Sequence, residues 1–235
     1  MSNDDLYKNV ALNFSIPKTK PTYVHWTQDE VKRVLLQINK EDYFNHLVYT
    51  MIHFYFYTGL IVNEATATCW TDIDFDKKKL HVNHMLIKEK GKKTYRQNYT
   101  KTDAGNRIIP LNSFTIELLK EWKERQKNHG INSDFVFSDT GKPLYSQRIA
   151  KKMNVFAENA GVKKIPLQRL RHSNATYLYR DLKIDLEDIK QRFGHKDITT
   201  LLRYYIENRN DPNIEVAQKI DDSINSSLTS NKKII

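Results

Sequence analysis

The chain has 235 residues, enough for one sizeable hydrophobic core. With 39% hydrophobic and 11% aromatic residues it reads as globular rather than disordered. A formal net charge of +10 favours polyanionic partners, nucleic acid before an anionic membrane surface. No uninterrupted apolar run approaches the roughly 20 residues needed to span a bilayer. Residues 1–15 also lack the basic start and hydrophobic stretch of a secretory signal. Cys69 is the only cysteine, so no internal disulfide can form and a reducing, cytoplasmic location is expected. Beside Trp70, this thiol reads as buried filling rather than a nucleophile.

Residues 1–21 form a polar lead-in, with Pro17 and Pro21 favouring extended chain. Thr27 and Glu30 make a capping box, and Val31, Val34, Leu35 and Ile38 follow at helical spacing. The aromatic-rich run 43–57 predicts a buried helix that stops at Thr58-Gly59. Residues 72–75 and 80–87 look extended, as do 95–98 and 107–111. Gly91 turns one hairpin, and residues 103–106 carry turn chemistry for the next. Lys88, Lys90, Lys92, Lys93, Arg96 and Lys101 crowd that region, and 142–152 is basic as well.

Ile116, Leu119 and Trp122 predict one helix, and Ile149, Met153 and Phe156 another that closes near Gly161. Residues 171–181 read as a helix carrying Leu178 inward. Leu186, Ile189 and Phe193 lie on a further helix, opened by Asp185 and stopped by Gly194. A last helix is expected over 216–220. The expectation is an α+β domain, mostly α, over 22–222 with a small antiparallel sheet inserted early, and a polar tail over 223–235.

Three short motifs near the end carry chemistry: Leu170-Arg171-His172, Phe193-Gly194-His195 and Tyr204-Tyr205. Taken singly, an Arg-His pair is a surface feature, a Gly-His a helix cap and a Tyr-Tyr a packing pair. In this order they resemble the tyrosine recombinases, the phage integrase family. The likeness runs from about Trp26 onward. Thr58-Gly59-Leu60 with Glu64, and residues 70–74, are similar to the family's first box. Residues 100–102 and 107–111 are similar to its hairpin segment.

The resemblance implies attack by a tyrosine oxygen on a DNA phosphodiester, leaving a 3′-phosphotyrosyl link and a free 5′-hydroxyl. That link preserves the bond energy, so rejoining requires neither ATP nor a cofactor. Tyr205 matches the nucleophile, with Tyr204 as competitor. Arg171 matches the second of two clamping arginines, whose planar forks suit a phosphate gathering negative charge. Lys101 matches the general acid toward the leaving oxygen and His195 a phosphate donor. Gln168, His172, Lys90 and Arg96 are further candidate DNA contacts. No compact cluster of acidic and histidine side chains suggests a metal site. The implied partner is double-stranded DNA, with no membrane association.

Two positions depart from the family pattern. Ile61 stands directly after Thr58-Gly59-Leu60, where the first clamping arginine belongs, and it offers no donor. Gln168 stands three residues before Arg171, where histidine is usual; glutamine can donate a hydrogen bond but does not exchange a proton near neutral pH. Relatives also carry a helical core-binding domain ahead of the catalytic one. The twenty or so residues before Trp26 are too few for it, so a one-sided DNA grip is expected. A slowed integrase serving a mobile element, a non-catalytic DNA-binding derivative and a type IB topoisomerase all remain open. So do self-association and pairing with an active relative.

Overall fold

In the computed structural model, which describes residues 24–88, 94–98, 105–194 and 221, helix α1 spans Gln28–Leu36. Thr27 Oγ1 accepts from the Glu30 amide at 3.2 Å, and the Glu30 carboxylate accepts from the Thr27 amide at 2.8 Å. That reciprocal cap satisfies two of the donors a helix start leaves open. Helix α2, Tyr43–Thr58, begins at Asp42, whose carboxylate takes the Asn45 amide at 2.7 Å. It is buried almost all round, as its high apolar and aromatic content favours; the polar His46, Thr50, His53 and Thr58 are buried with the rest. Gly59 at φ +67° ends it, as expected from the sequence.

The short helix α3, Val62–Ala67, has no counterpart among the sequence expectations. Six residues are too few to display a helical period. Its start is held by the Glu64 carboxylate, which accepts the Ile61 amide at 2.9 Å. The extended reading of 72–75 narrows likewise. Trp70–Asp72 is a 3-10 turn closed by Asp72 on the Cys69 amide at 2.7 Å, and strand β1 is only Ile73–Asp74.

Residues 80–87, read as one extended run, are two strands that part at Asn83 and join different sheets. Strand β2, Lys79–Val82, lies between β1 and β5 (Arg107–Pro110), with Leu80 opposite Ile109 and Val82 opposite Arg107. Strand β3, His84–Ile87, pairs with β4, Tyr95–Asn98, and sets Leu86 opposite Arg96. All pairings are antiparallel.

Helix α4, Ser113–Asn128, buries Ile116, Leu119 and Trp122, and α5, Ser146–Asn159, buries Ile149, Met153 and Phe156. Helix α6, Arg169–Thr176, runs on into a π-helical turn, Tyr177–Asp181. The single helix expected over 171–181 therefore changes its hydrogen-bond ladder at Tyr177, and Leu178 is half-buried rather than enclosed. Helix α7, Leu186–Phe193, opens with Asp185 on the Glu187 amide at 2.7 Å and ends at Gly194, φ +67°. One large core joins α1, α2, α4, α5 and the three-stranded sheet. Ala175, Ile189 and Phe193 make a smaller cluster that docks α7 beside α6. The helix expected over 216–220 lies outside the described residues.

Candidate active site

The C-terminal ends of α2 and α7 come together, each presenting backbone carbonyls that lack a partner within their own helix. Three arginines meet those carbonyls. Arg171, in the first turn of α6, donates Nη1 to the Gly59 carbonyl and Nη2 to the Phe193 carbonyl at 2.9 Å. Its guanidinium carbon also lies 4.4 Å from the centre of the Phe193 ring, a cation–π contact. The buried Tyr55 feels this charge: burial raises its phenol pKa, and Arg171 pulls it back.

Arg192 donates to the Tyr57 carbonyl at 3.0 Å and to the Pro110 carbonyl at 3.3 Å. Burial lowers its pKa below the ordinary guanidinium value, and neighbouring Arg107 adds to the effect. Arg107, on β5, places its fork on both oxygens of Glu64 at 2.8 and 3.0 Å. Its Nε donates to the Arg192 carbonyl at 2.8 Å. The Arg107 and Glu64 side chains are only 8% and 4% exposed, so this is a desolvated bidentate pair. Glu64 thus accepts from both the Ile61 amide and Arg107.

Of the residues singled out by sequence, Arg171 stands at the meeting point of α2, α6 and α7. His172 follows it on α6, half-buried. Gln168 is exposed at the start of α6 and makes no side-chain cap bond. Arg96 points Nε to the Ala67 carbonyl at 2.9 Å and pairs with Asp72, so its guanidinium ties β4 to the turn after α3. Lys90, Lys101, His195, Tyr204 and Tyr205 lie outside the described residues. Ile61 is half-buried, two residues beyond the carbonyl that Arg171 holds.

Arg96, Arg107 and Arg192 are each bound to internal partners. Sequence reasoning passed over Arg107 and Arg192 as functional residues. A faint signal existed for the first: a charged residue opening the apolar strand Ile108-Ile109, with an acidic partner in the Thr58–Glu64 box. Among the described residues no group of three or more His, Cys, Asp or Glu side chains could hold a metal ion. Also among them, no helix is long and apolar enough to cross a membrane.

The fold is that of a tyrosine recombinase catalytic domain. The phage integrase family model matches residues 25–211, and the chain belongs to that family. It is 27% identical over 198 residues to a XerC-like tyrosine recombinase of Caldanaerobacter subterraneus subsp. tengcongensis, covering 77% of this chain and 49% of that protein. It is 26% identical over 214 residues to the ICEBs1 integrase of Bacillus subtilis, covering 88% of this chain and 56% of that one. The chain thus spans about half the length of the curated relatives it matches. Among solved structures, the Tn1549 transposon integrase in complex with transposon right end DNA superposes with a TM-score of 0.71 at 23% identity, covering 87% of this chain and 67% of that one. The XerA recombinase superposes with a TM-score of 0.64 at 21% identity, covering 88% and 66%.

Proposed function

We propose that this chain binds double-stranded DNA at recombination sites of a mobile element and acts there as a slow tyrosine strand transferase. The observation that carries this reading is Arg171. Its sequence context resembles that of the family's clamping arginine, and its guanidinium is held by the Gly59 and Phe193 carbonyls at the junction of α2 and α7. Each terminal nitrogen of that fork bears two N–H groups, so the carbonyl bonds set its plane without excluding a phosphate oxygen.

In the proposed reaction the Tyr205 oxygen gives up its phenol proton to solvent and attacks a DNA phosphorus, the bond to the 5′-oxygen breaks as Lys101 protonates that oxygen, and Arg171 and His195 stabilise the charge on the non-bridging oxygens. Gln168 and His172 contact the phosphate or its neighbours, and Lys90, which falls between β3 and β4 in the sequence, supplies a further contact to the DNA backbone. Rejoining reverses the attack, without cofactor or metal. The reaction is slow because Ile61 contributes no donor; removal of one preorganised donor costs about a hundred- to a thousandfold in rate.

The test is a suicide duplex with a nick placed to trap the covalent intermediate. The chain should form a denaturant-resistant protein–DNA adduct that Tyr205→Phe abolishes, and Ile61→Arg with Gln168→His should accelerate its formation by at least tenfold. A second reading, a binding module that never cleaves, is favoured by the internal engagement of Arg96, Arg107 and Arg192. It predicts tight binding with no adduct from the native chain. No salt-dependent duplex binding at all would sink both readings.

A further inference from the structure

The Arg107–Glu64 pair does more than join a strand to a helix. Glu64 holds the Ile61 amide and so fixes the chain that leaves Gly59. Arg107, gripping the same carboxylate, reaches on through Nε to the carbonyl of Arg192. Arg192 is the residue before Phe193, whose carbonyl and ring position Arg171. From the other side, the Arg192 guanidinium ties α7 back to Tyr57 on α2 and to Pro110 on β5. Arg171 therefore rests on two walls, Gly59 and Phe193, and both are secured by the one buried ion pair.

We propose that Arg107 is a positioning residue for the DNA phosphate site: through Glu64 and the Arg192 carbonyl it sets the spacing between Gly59 and Phe193, and with it the orientation of the Arg171 guanidinium. Fork geometry is what makes arginine necessary at this position. Lysine would keep the charge but supply a point donor on a flexible stem. It has neither the two parallel bonds to Glu64 nor the separate Nε bond to Arg192. This inference rests on the reading of Arg171 as a phosphate ligand.

The test is equilibrium binding of the full chain to a 30-base-pair duplex, followed as a function of salt. Each phosphate contact contributes about 0.9 to the slope of log affinity against log salt. Arg171→Gln should lower the slope by about that amount. Arg107→Lys, which leaves the net charge unchanged, should lower it equally, and the double variant should lose no more than either alone. Melting curves establish that each variant is folded at the temperature of the titration. If Arg107→Lys is not, the pair Glu64→Met with Arg107→Leu removes both buried charges at similar volume and should show the same loss of slope.

A slope unchanged in the folded Arg107 variants, with Arg171→Gln lowering it, overturns the positioning role and leaves the proposed function standing. Additive losses in the double variant overturn it as well, because they make Arg107 an independent contact. A slope that Arg171→Gln does not change removes the phosphate ligand itself, and both readings fall together.

Discussion

Arg171 and Phe193 are joined twice, by a hydrogen bond of 2.9 Å to the Phe193 carbonyl and by a guanidinium 4.4 Å from the centre of its ring. The same ring closes over Gly59, the residue whose carbonyl receives the other arm of the fork. The anchorage of Arg171 and the packing of Phe193 are therefore one structure, and a change at Gly59 disturbs both.

Gly59→Ala should be strongly destabilising. An alanine Cβ at this position would lie 2.6 Å from Asn174 Oδ1 and 2.6 Å from the Phe193 ring, in a backbone of φ +67°. Left-handed backbone costs alanine about 1–2 kcal/mol and overpacking about 1–3 kcal/mol more, so a total of about 2–5 kcal/mol is expected in urea denaturation. Gly161→Ala is the control. Its φ is +63° but nothing stands within 4 Å, so only the backbone cost of about 1–2 kcal/mol should appear. Equal losses at the two positions would contradict the packing argument.

Arg107→Ala takes the bidentate cationic partner from the buried Glu64 carboxylate and should cost about 3–5 kcal/mol of stability. Replacing both partners together by apolar residues of similar volume should recover most of that loss, because the surviving charge is what carries the penalty. A double-mutant cycle on the urea midpoints measures this coupling. Additive single losses would show that the two residues do not act as a pair.

Stability should fall on mild acidification. His53 is enclosed between Tyr57 and Phe114, bonds Thr115 Oγ1 at 3.1 Å, and is lowered by burial to about 4. The unfolded chain takes up that proton near pH 6.5 and the folded chain only near 4. The native state is therefore favoured in full above about 6.5 and loses ground as pH drops toward 4, by up to about 3 kcal/mol. Burial shifts His46 in the same direction. His53→Gln, which keeps a hydrogen-bonding group but does not titrate, should flatten the profile of melting temperature between pH 7 and 4.5. An unchanged slope would show that His53 is not the group responsible.

Cys69 should be chemically silent in the folded chain. It is 5% exposed, and burial raises its thiol to about 11, against a smaller opposing pull from Arg96. A thiolate is the reactive form, so little is available near pH 8. A chromogenic disulfide reagent should label one thiol in urea and almost none in buffer over minutes. Rapid labelling of the native chain would place Cys69 at the surface instead.

Much of the local structure could be read directly from residue order. Thr27 and Glu30 mark a helix start because their side chains meet the backbone three residues away. Gly59 and Gly194 mark helix ends because they accept left-handed backbone. The run 43–58 is helical and buried since it has no polar face to offer water. Local signals failed where the outcome depended on partners distant in sequence. The break at Asn83 is invisible locally, because β2 turns to β5 and β3 to β4. The change of ladder at Tyr177 is likewise unmarked in the sequence.

Residue order alone assigned the family, through Arg171 and the motifs around it, since this is a question of which side chain stands at which interval. Tertiary structure decided what Arg171 rests on and what becomes of the other arginines. Arg96, Arg107 and Arg192 look alike in a sequence, as charges suited to a DNA surface. Only folding shows that all three turn inward to carboxylates and helix-end carbonyls, because whether a guanidinium meets solvent or a buried acceptor depends on which distant segments the core brings beside it.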